Sequence, residues 1–190
     1  FDMTYDWTLF RLLIKVSKGE ADARDLAAYY TKPQRRYPAG AFRMNFTSNH
    51  DENSWHGTEQ ELFGDAAEAM AVLAATLPDM PLIYGGQEAS LDKRLEFFKR
   101  DPIDWRGTSL ADFYASLLRL KTDNKALWNG TAGGKLVMLA TGNPDVIAYD
   151  RVRDGNRVRV IANLSGKPAA FSIDGKPRTL AAWDYAIAVD

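Results

Sequence analysis

Asn49-His50-Asp51 places an imidazole and a carboxylate at the end of an alternating segment, Phe42-Arg43-Met44-Asn45-Phe46-Thr47. A buried carboxylate at the carboxyl end of a strand is where barrel enzymes keep their chemistry. Such a group can move a proton or hold a substrate by hydrogen bonds. Taken alone, the tripeptide fits an ordinary loop aspartate that caps or turns. Glu88 also follows an apolar run, Pro81-Leu82-Ile83-Tyr84, and is a second candidate acid. His56 lies six residues beyond His50, without the helical spacing or the acidic and imidazole neighbours that a metal site needs, and reads as a solvated loop residue.

The elements that must carry these groups are legible from periodicity. Phe1 to Tyr5 alternates as a strand, Leu9, Phe10, Leu12, Leu13 and Val16 recur at helical spacing, and Asp22 to Tyr30 resumes a helix after Gly19. Pro33 and Pro38 mark a loop. In Phe42 to Thr47, Phe42, Met44 and Phe46 share one face and Arg43, Asn45 and Thr47 the other. The apolar set is expected under helices and the polar set inside a barrel, near Asp51. Asp51 to Gly64 reads as a polar loop, with Asp65 capping a helix to about Leu77. Pro81 to Tyr84 suits a parallel strand buried on both faces, and Gly85-Gly86 a tight turn. Leu91 to Gly107 reads as a charged loop with some helical character, its Asp92-Lys93-Arg94 run a solvated face. Ser109 is expected to cap a helix striped by Leu110, Phe113, Leu117 and Leu120.

After Asn129-Gly130 the texture changes to short alternating segments, at 135–140, 146–152, 157–163, 169–173, 178–181 and 185–189. Asp154-Gly155 and Asp174-Gly175 are hairpin signals. The chain thus reads as three strand–helix units followed by an antiparallel β module. Closing a barrel takes eight such units.

Composition narrows the functions. The 190 residues are 46% hydrophobic with a formal net charge of −1, enough for a core and no electrostatic case for nucleic acid or an anionic membrane. No apolar run approaches the length of a membrane span. The absence of cysteine excludes disulfides, thiolate metal sites and cysteine nucleophiles.

The order of these segments resembles the closing part of the α-amylase family of glycoside hydrolases, family 13. The strand ending in Asn49-His50-Asp51 is similar to the family's seventh barrel strand, and Pro81 to Glu88 to its eighth strand and following turn. Phe113-Tyr114-Ala115-Ser116-Leu117-Leu118-Arg119-Leu120-Lys121, with Ala126-Leu127 and Gly130, resembles its last barrel helix. Val158 to Ser165 resembles the central strand of its C-terminal β-sandwich, and Leu180-Ala181-Ala182-Trp183 the end of that sandwich.

The resemblance implies an α/β fold. Residues 1–130 would be the last three βα units of a partial (β/α)8 TIM barrel, and residues 131–190 a small antiparallel all-β sandwich domain. It implies retaining hydrolysis or transfer at α-glucosidic bonds of starch-type glucans, with Asp51 matching the third carboxylate of the catalytic set. His50 would hydrogen-bond the same sugar ring. Trp55 could stack on a sugar or fold against the barrel rim. Glu88 matches a structural position, and Trp105, Trp128 and Trp183 read as packing residues. The nucleophile and acid/base belong to the fourth and fifth strands and match nothing here, so the isolated chain is expected to be inactive. It is also expected to self-associate through uncovered strand edges. No cofactor is expected within these residues, since the family's calcium is usually held upstream. Two other readings stay open: a non-catalytic amylase-like scaffold or carbohydrate-binding partner, and an unrelated α+β domain.

Overall fold

The computed structural model describes residues 2–32, 37–38, 40–105 and 110–190. Three short strands, β1 (Met3–Tyr5), β2 (Phe42–Phe46) and β3 (Met80–Leu82), form a parallel sheet in that order. Met3 pairs with Phe42, and Met44 with Met80. The connections carry helices α1 (Trp7–Ser17) and α2 (Ala23–Thr31) between β1 and β2, and α3 (Glu59–Phe63) and α4 (Ala67–Thr76) between β2 and β3. Helix α5 (Ala111–Asp123) follows β3. The expectations at Phe1, Pro33, Gly107 and Ser109 lie outside the described residues.

Local signals explain most of these elements. The Asp22 side chain accepts from the Arg24 backbone and forms a capping box with Asp25, which starts α2 where the sequence places it. Asp6 starts α1 by accepting from Leu9 N–H at 2.9 Å. Four expectations fail in detail. The region 51–64 is not a plain loop: Glu52–His56 forms a π-helical turn and Thr58 caps α3 through a Thr58/Glu61 capping box. Asp65 instead lies in a 3-10 turn, Gly64–Ala66, and makes no side-chain cap. Among the described residues 91–105 there is no helix. Strand β3 is parallel as expected, but its residues are partly exposed rather than buried on both faces.

The β-rich part forms a four-stranded antiparallel sheet, β4 (Lys135–Met138), β5 (Val146–Arg153), β6 (Asn156–Asn163) and β9 (Tyr185–Val189). A separate hairpin comprises β7 (Ala169–Ile173) and β8 (Lys176–Leu180). Asp154-Gly155 and Asp174-Gly175 both take positive φ, as two-residue hairpin turns require.

The four-stranded sheet is covered on both sides. Ile147, Tyr149, Val158, Val160 and Ala162 join the same core as Leu13, Met70, Leu73 and Leu117 of the helices. Val146, Ala148 and Ile161 pack instead with Ala169, Phe171 and Ile173 of the hairpin. The main core therefore runs unbroken across residue 130. Polar ties reinforce that junction: buried Tyr149 and Thr76 share a 2.6 Å hydroxyl bond, and Arg151, 1% exposed, donates to the Thr76 carbonyl at 2.8 Å. The chain passes through it at Gly133, where a Cβ would lie 1.9 Å from the Trp128 carbonyl oxygen.

Candidate active site

Because β1, β2 and β3 are parallel, the loops after β2 and β3 leave the sheet at the same end. Asn49, His50 and Asp51 follow the carboxyl end of β2. The loop from Leu91 to Asp101, which follows β3, is laced onto the segment just after them, at Asn53, Thr58 and Glu61. Leu95 N–H donates to Asn53 Oδ1 at 2.8 Å, and Asn53 Nδ2 to the Lys93 carbonyl at 3.1 Å. Thr58 Oγ1 donates to Asp92 at 3.1 Å, and Arg94 pairs with Glu61 at 2.8 Å. The charged run 92–94 is thus a fastening between the two loops, more than a solvated face. Each exposed pair contributes little alone, about 0–1 kcal/mol, so the buried Asn53 bridge carries more of the positioning.

The tripeptide divides its labour. Asn49 is buried, and its Oδ1 accepts from the backbone of Asp51 at 3.0 Å and of Glu52 at 2.9 Å. The capping role that Asp51 could have had belongs to Asn49. Asp51 is not buried, contrary to expectation: its side chain is 43% exposed and that of His50 52%. His50 Nε2 lies 3.6 Å from Asp51 Oδ1, too far for a hydrogen bond, so both present unused polar atoms to solvent. Trp55 is exposed on the π-helical turn that begins at Glu52. His56 is exposed and sits 3.1 Å from Glu52 one turn back. Glu88 is turned to its own loop, its carboxylate accepting from Gly86 N–H at 2.9 Å.

Only the polar half of the strand-face expectation for β2 fails: Phe46 packs against Phe10 of α1 as expected, whereas Asn45 and Arg43 also meet helix partners. Asn45 is fully buried and donates to the Ala74 and Pro78 carbonyls at 3.3 and 2.8 Å, at the end of α4. Arg43 bonds Tyr29 of α2 at 2.6 Å and Asp79 at 3.0 Å. The cause is the unmet carbonyls at a helix C-terminus, which need a donor from the strand beneath. Trp105 departs from expectation at 58% exposed, Trp128 is part-covered with its indole N–H donating to the Thr122 carbonyl of α5 at 3.0 Å, and Trp183 packs against the main core.

Periodicity gave no warning of Glu59. Its carboxylate accepts from Thr47 Oγ1, from Gln87 Nε2 at 2.8 Å and from Tyr114 O–H at 3.2 Å. It joins the end of β2, the turn after β3, and α5. Desolvation pushes this carboxyl above its ordinary value of 4.5, against the three hydrogen bonds that lower it. A carboxyl raised on folding contributes stability that is fully present below its unfolded pKa and lost as pH rises through the folded one. Thermal melts of wild type and Glu59→Gln should therefore diverge with pH. Relative to the variant, wild type loses melting temperature as pH rises past the ordinary carboxyl value of 4.5. A difference that is flat or of opposite slope would contradict the direction of this shift.

Lys121 of α5 is buried, donating to the Asp79 and Leu127 carbonyls at 2.9 and 2.5 Å. Desolvation, and then the charge of Arg151, lower its amine to about 7. Among the described residues, no group of three or more His, Asp or Glu side chains could hold a metal ion. None of the described helices is long and apolar enough to cross a membrane.

No family model matches the chain. It is 30% identical over 183 residues to alpha-amylase MalA of Haloarcula japonica, covering 91% of this chain and 26% of that protein. It is 24% identical over 196 residues to alpha-amylase 2 of Dictyoglomus thermophilum, covering 95% and 33% respectively. Over nearly its whole length the chain is similar to part of an α-amylase.

Solved structures agree on the fold. The ligand-free cyclic α-maltosyl-(1→6)-maltose hydrolase of Arthrobacter globiformis matches 99% of it and 45% of its own length, with a TM-score of 0.78 at 23% identity. The maltogenic α-amylase AmyB of Thermotoga neapolitana matches 100% and 49%, with a TM-score of 0.76 at 16% identity. The chain spans only about a quarter to a third of the curated relatives it matches.

Proposed function

We propose that this chain is the C-terminal part of a retaining glycoside hydrolase that acts on α-glucosidic bonds of starch-type glucans. In this reading residues 1–130 are the last three βα units of a (β/α)8 barrel and residues 131–190 are the β-sandwich domain behind it. The parallel order β1-β2-β3 with intervening helices supports that assignment. The observation that carries the functional reading is Asp51. It is half-exposed at the carboxyl end of a parallel strand, with His50 beside it and neither side chain committed to a structural bond.

A retaining glycosidase needs a nucleophilic carboxylate and an acid/base carboxyl about 5–5.5 Å apart across the anomeric carbon. Asp51 is the third acid, accepting hydrogen bonds from sugar hydroxyls and favouring the distorted, positively charged transition state. His50 donates to the same ring. Nucleophile and acid/base come from residues outside these 190, so chemistry requires both parts of the barrel. The relatives named for maltose-type substrates make malto-oligosaccharides the first substrates to test.

The isolated 190-residue chain should release no reducing sugar from starch and no nitrophenol from nitrophenyl maltoside. The natural protein that contains it should hydrolyse both. Turnover by the isolated chain at an ordinary amylase rate would overturn the assignment of the two missing carboxyls.

A further inference from the structure

Three rings stand in solvent beside the Asp51 loop: Trp55 is 55% exposed, Phe97 40% and Phe98 85%. They form one connected array with His50. Ring centroids are 5.7 Å apart for His50 and Phe97, 5.6 Å for Phe97 and Trp55, 6.3 Å for Trp55 and Phe98, and 4.9 Å for Phe97 and Phe98. The His50 and Phe97 planes are inclined by 33° and those of Phe97 and Trp55 by 36°, so the rings pack on one another as one cluster. A contiguous exposed apolar patch of this kind is a binding feature more often than an accident of folding. The structure spends hydrogen bonds on holding it there, since Asn53 and Arg94 fasten the loop that carries Phe97 and Phe98 above Trp55.

Beside the rings lies a cavity of about 280 Å³, lined by His50, Ser54, Tyr84, Phe97, Glu96 and Lys99 among others. Its charges are matched. Lys99 pairs with Glu96 at 2.5 Å, Lys93 pairs with Asp101, and Glu96 N–H donates to Asp101 at 3.1 Å. The site therefore offers many polar atoms and little net charge next to an aromatic face. That chemistry suits a neutral polyhydroxylated ring, whose C–H face lies on the aromatics while its hydroxyls reach the polar wall. An acyl chain would leave the polar wall unsatisfied, and a polyanion would find no excess of positive charge.

We propose that Phe97 and Phe98, together with Trp55, form a platform that seats the glucan chain continuing away from Asp51. The adjoining cavity receives a glucosyl unit. The choice of an α-glucan as occupant rests on the functional reading above; the platform and the loop that carries it are what is new. Phe97 and Phe98 then govern how strongly longer oligosaccharides are held.

Titration of the natural protein with maltoheptaose, read calorimetrically in the cold so that binding is complete before appreciable hydrolysis, tests this. Wild type should bind saturably, and at least about tenfold more tightly than it binds cellohexaose, whose β-linked chain has a different curvature. Phe98→Ser, at an exposed position that leaves the fold intact by circular dichroism, should weaken maltoheptaose binding about tenfold, and Phe97→Ser should do likewise. Absence of binding by wild type, equal affinity for cellohexaose, or unchanged affinity in both variants overturns the platform. So does a change of elution volume in the variants with the titration unchanged, which would assign the patch to a protein contact. The catalytic reading is judged separately, by hydrolysis after Asp51→Asn in the natural protein, so either idea can fail while the other stands.

Discussion

Asp51→Asn in the natural protein is expected to lower kcat/KM on maltoheptaose roughly a hundredfold or more, with the fold intact. The magnitude follows from the site. Removing one preorganised hydrogen-bonding group aimed at a transition state typically costs about 2.7–4 kcal/mol. Asp51 is half-exposed and makes no side-chain bond that α1, α3 or the π-helical turn depends on, since the cap is supplied by Asn49. Its loss should therefore register in catalysis and barely in stability. Asn49→Ala should behave in the opposite sense, lowering the melting temperature by freeing two backbone donors. The discriminating readout is kcat against KM. A group that acts in the transition state lowers kcat, whereas a rim contact raises KM alone. An Asp51→Asn enzyme with unchanged kcat would falsify the catalytic role.

Features of the site divide cleanly by the range over which their causes act. Asp22 with Asp25 three residues on, and Asp-Gly at both hairpins, are local devices, and the structure places them where the sequence does. The Thr58/Glu61 capping box was equally local. It was hidden by its surroundings, because Glu52 to Gln60 has no apolar period to announce a helix. The Glu59 hub had no such signal at all. Its partners lie 12, 28 and 55 residues away, and each is an unremarkable hydroxyl or amide until the fold gathers them. The helix-bound polar side chains of β2 belong to the same class. Alternation alone cannot say that Asn45 will meet the unpaired carbonyls at the end of α4. The aromatic platform needed two loops to be pinned together, and each half reads as an isolated exposed residue in sequence.

Phe46→Ala should be the most destabilising change among the residues that support this site, by about 3–5 kcal/mol. Phe46 is 1% exposed and stacks on Phe10 of α1 with centroids 4.7 Å apart. The Trp7 and Tyr5 rings meet it edge-on at 5.2 and 5.6 Å. Truncation opens a cavity bounded by three other aromatics that are themselves anchored in α1 and β1, so collapse around it is limited and the cost falls at the upper end of the range. For a chain of this size such a loss corresponds to roughly 10 °C or more in melting temperature. Phe98→Ala is the control of equal chemistry, since at 85% exposure it should stay within about 0.5 kcal/mol of wild type. The two variants remove the same atoms, so their difference isolates burial from side-chain identity. Phe46 also precedes Thr47, which binds Glu59, by a single residue, so the vacancy opens beside the hub that fixes the end of β2. In the natural protein, Phe46→Ala should therefore lose activity at temperatures below its own melting transition, because Asn49 and Asp51 no longer have a rigid strand end to extend from. Full activity up to that transition would show that the loop holds its shape without the core beneath it.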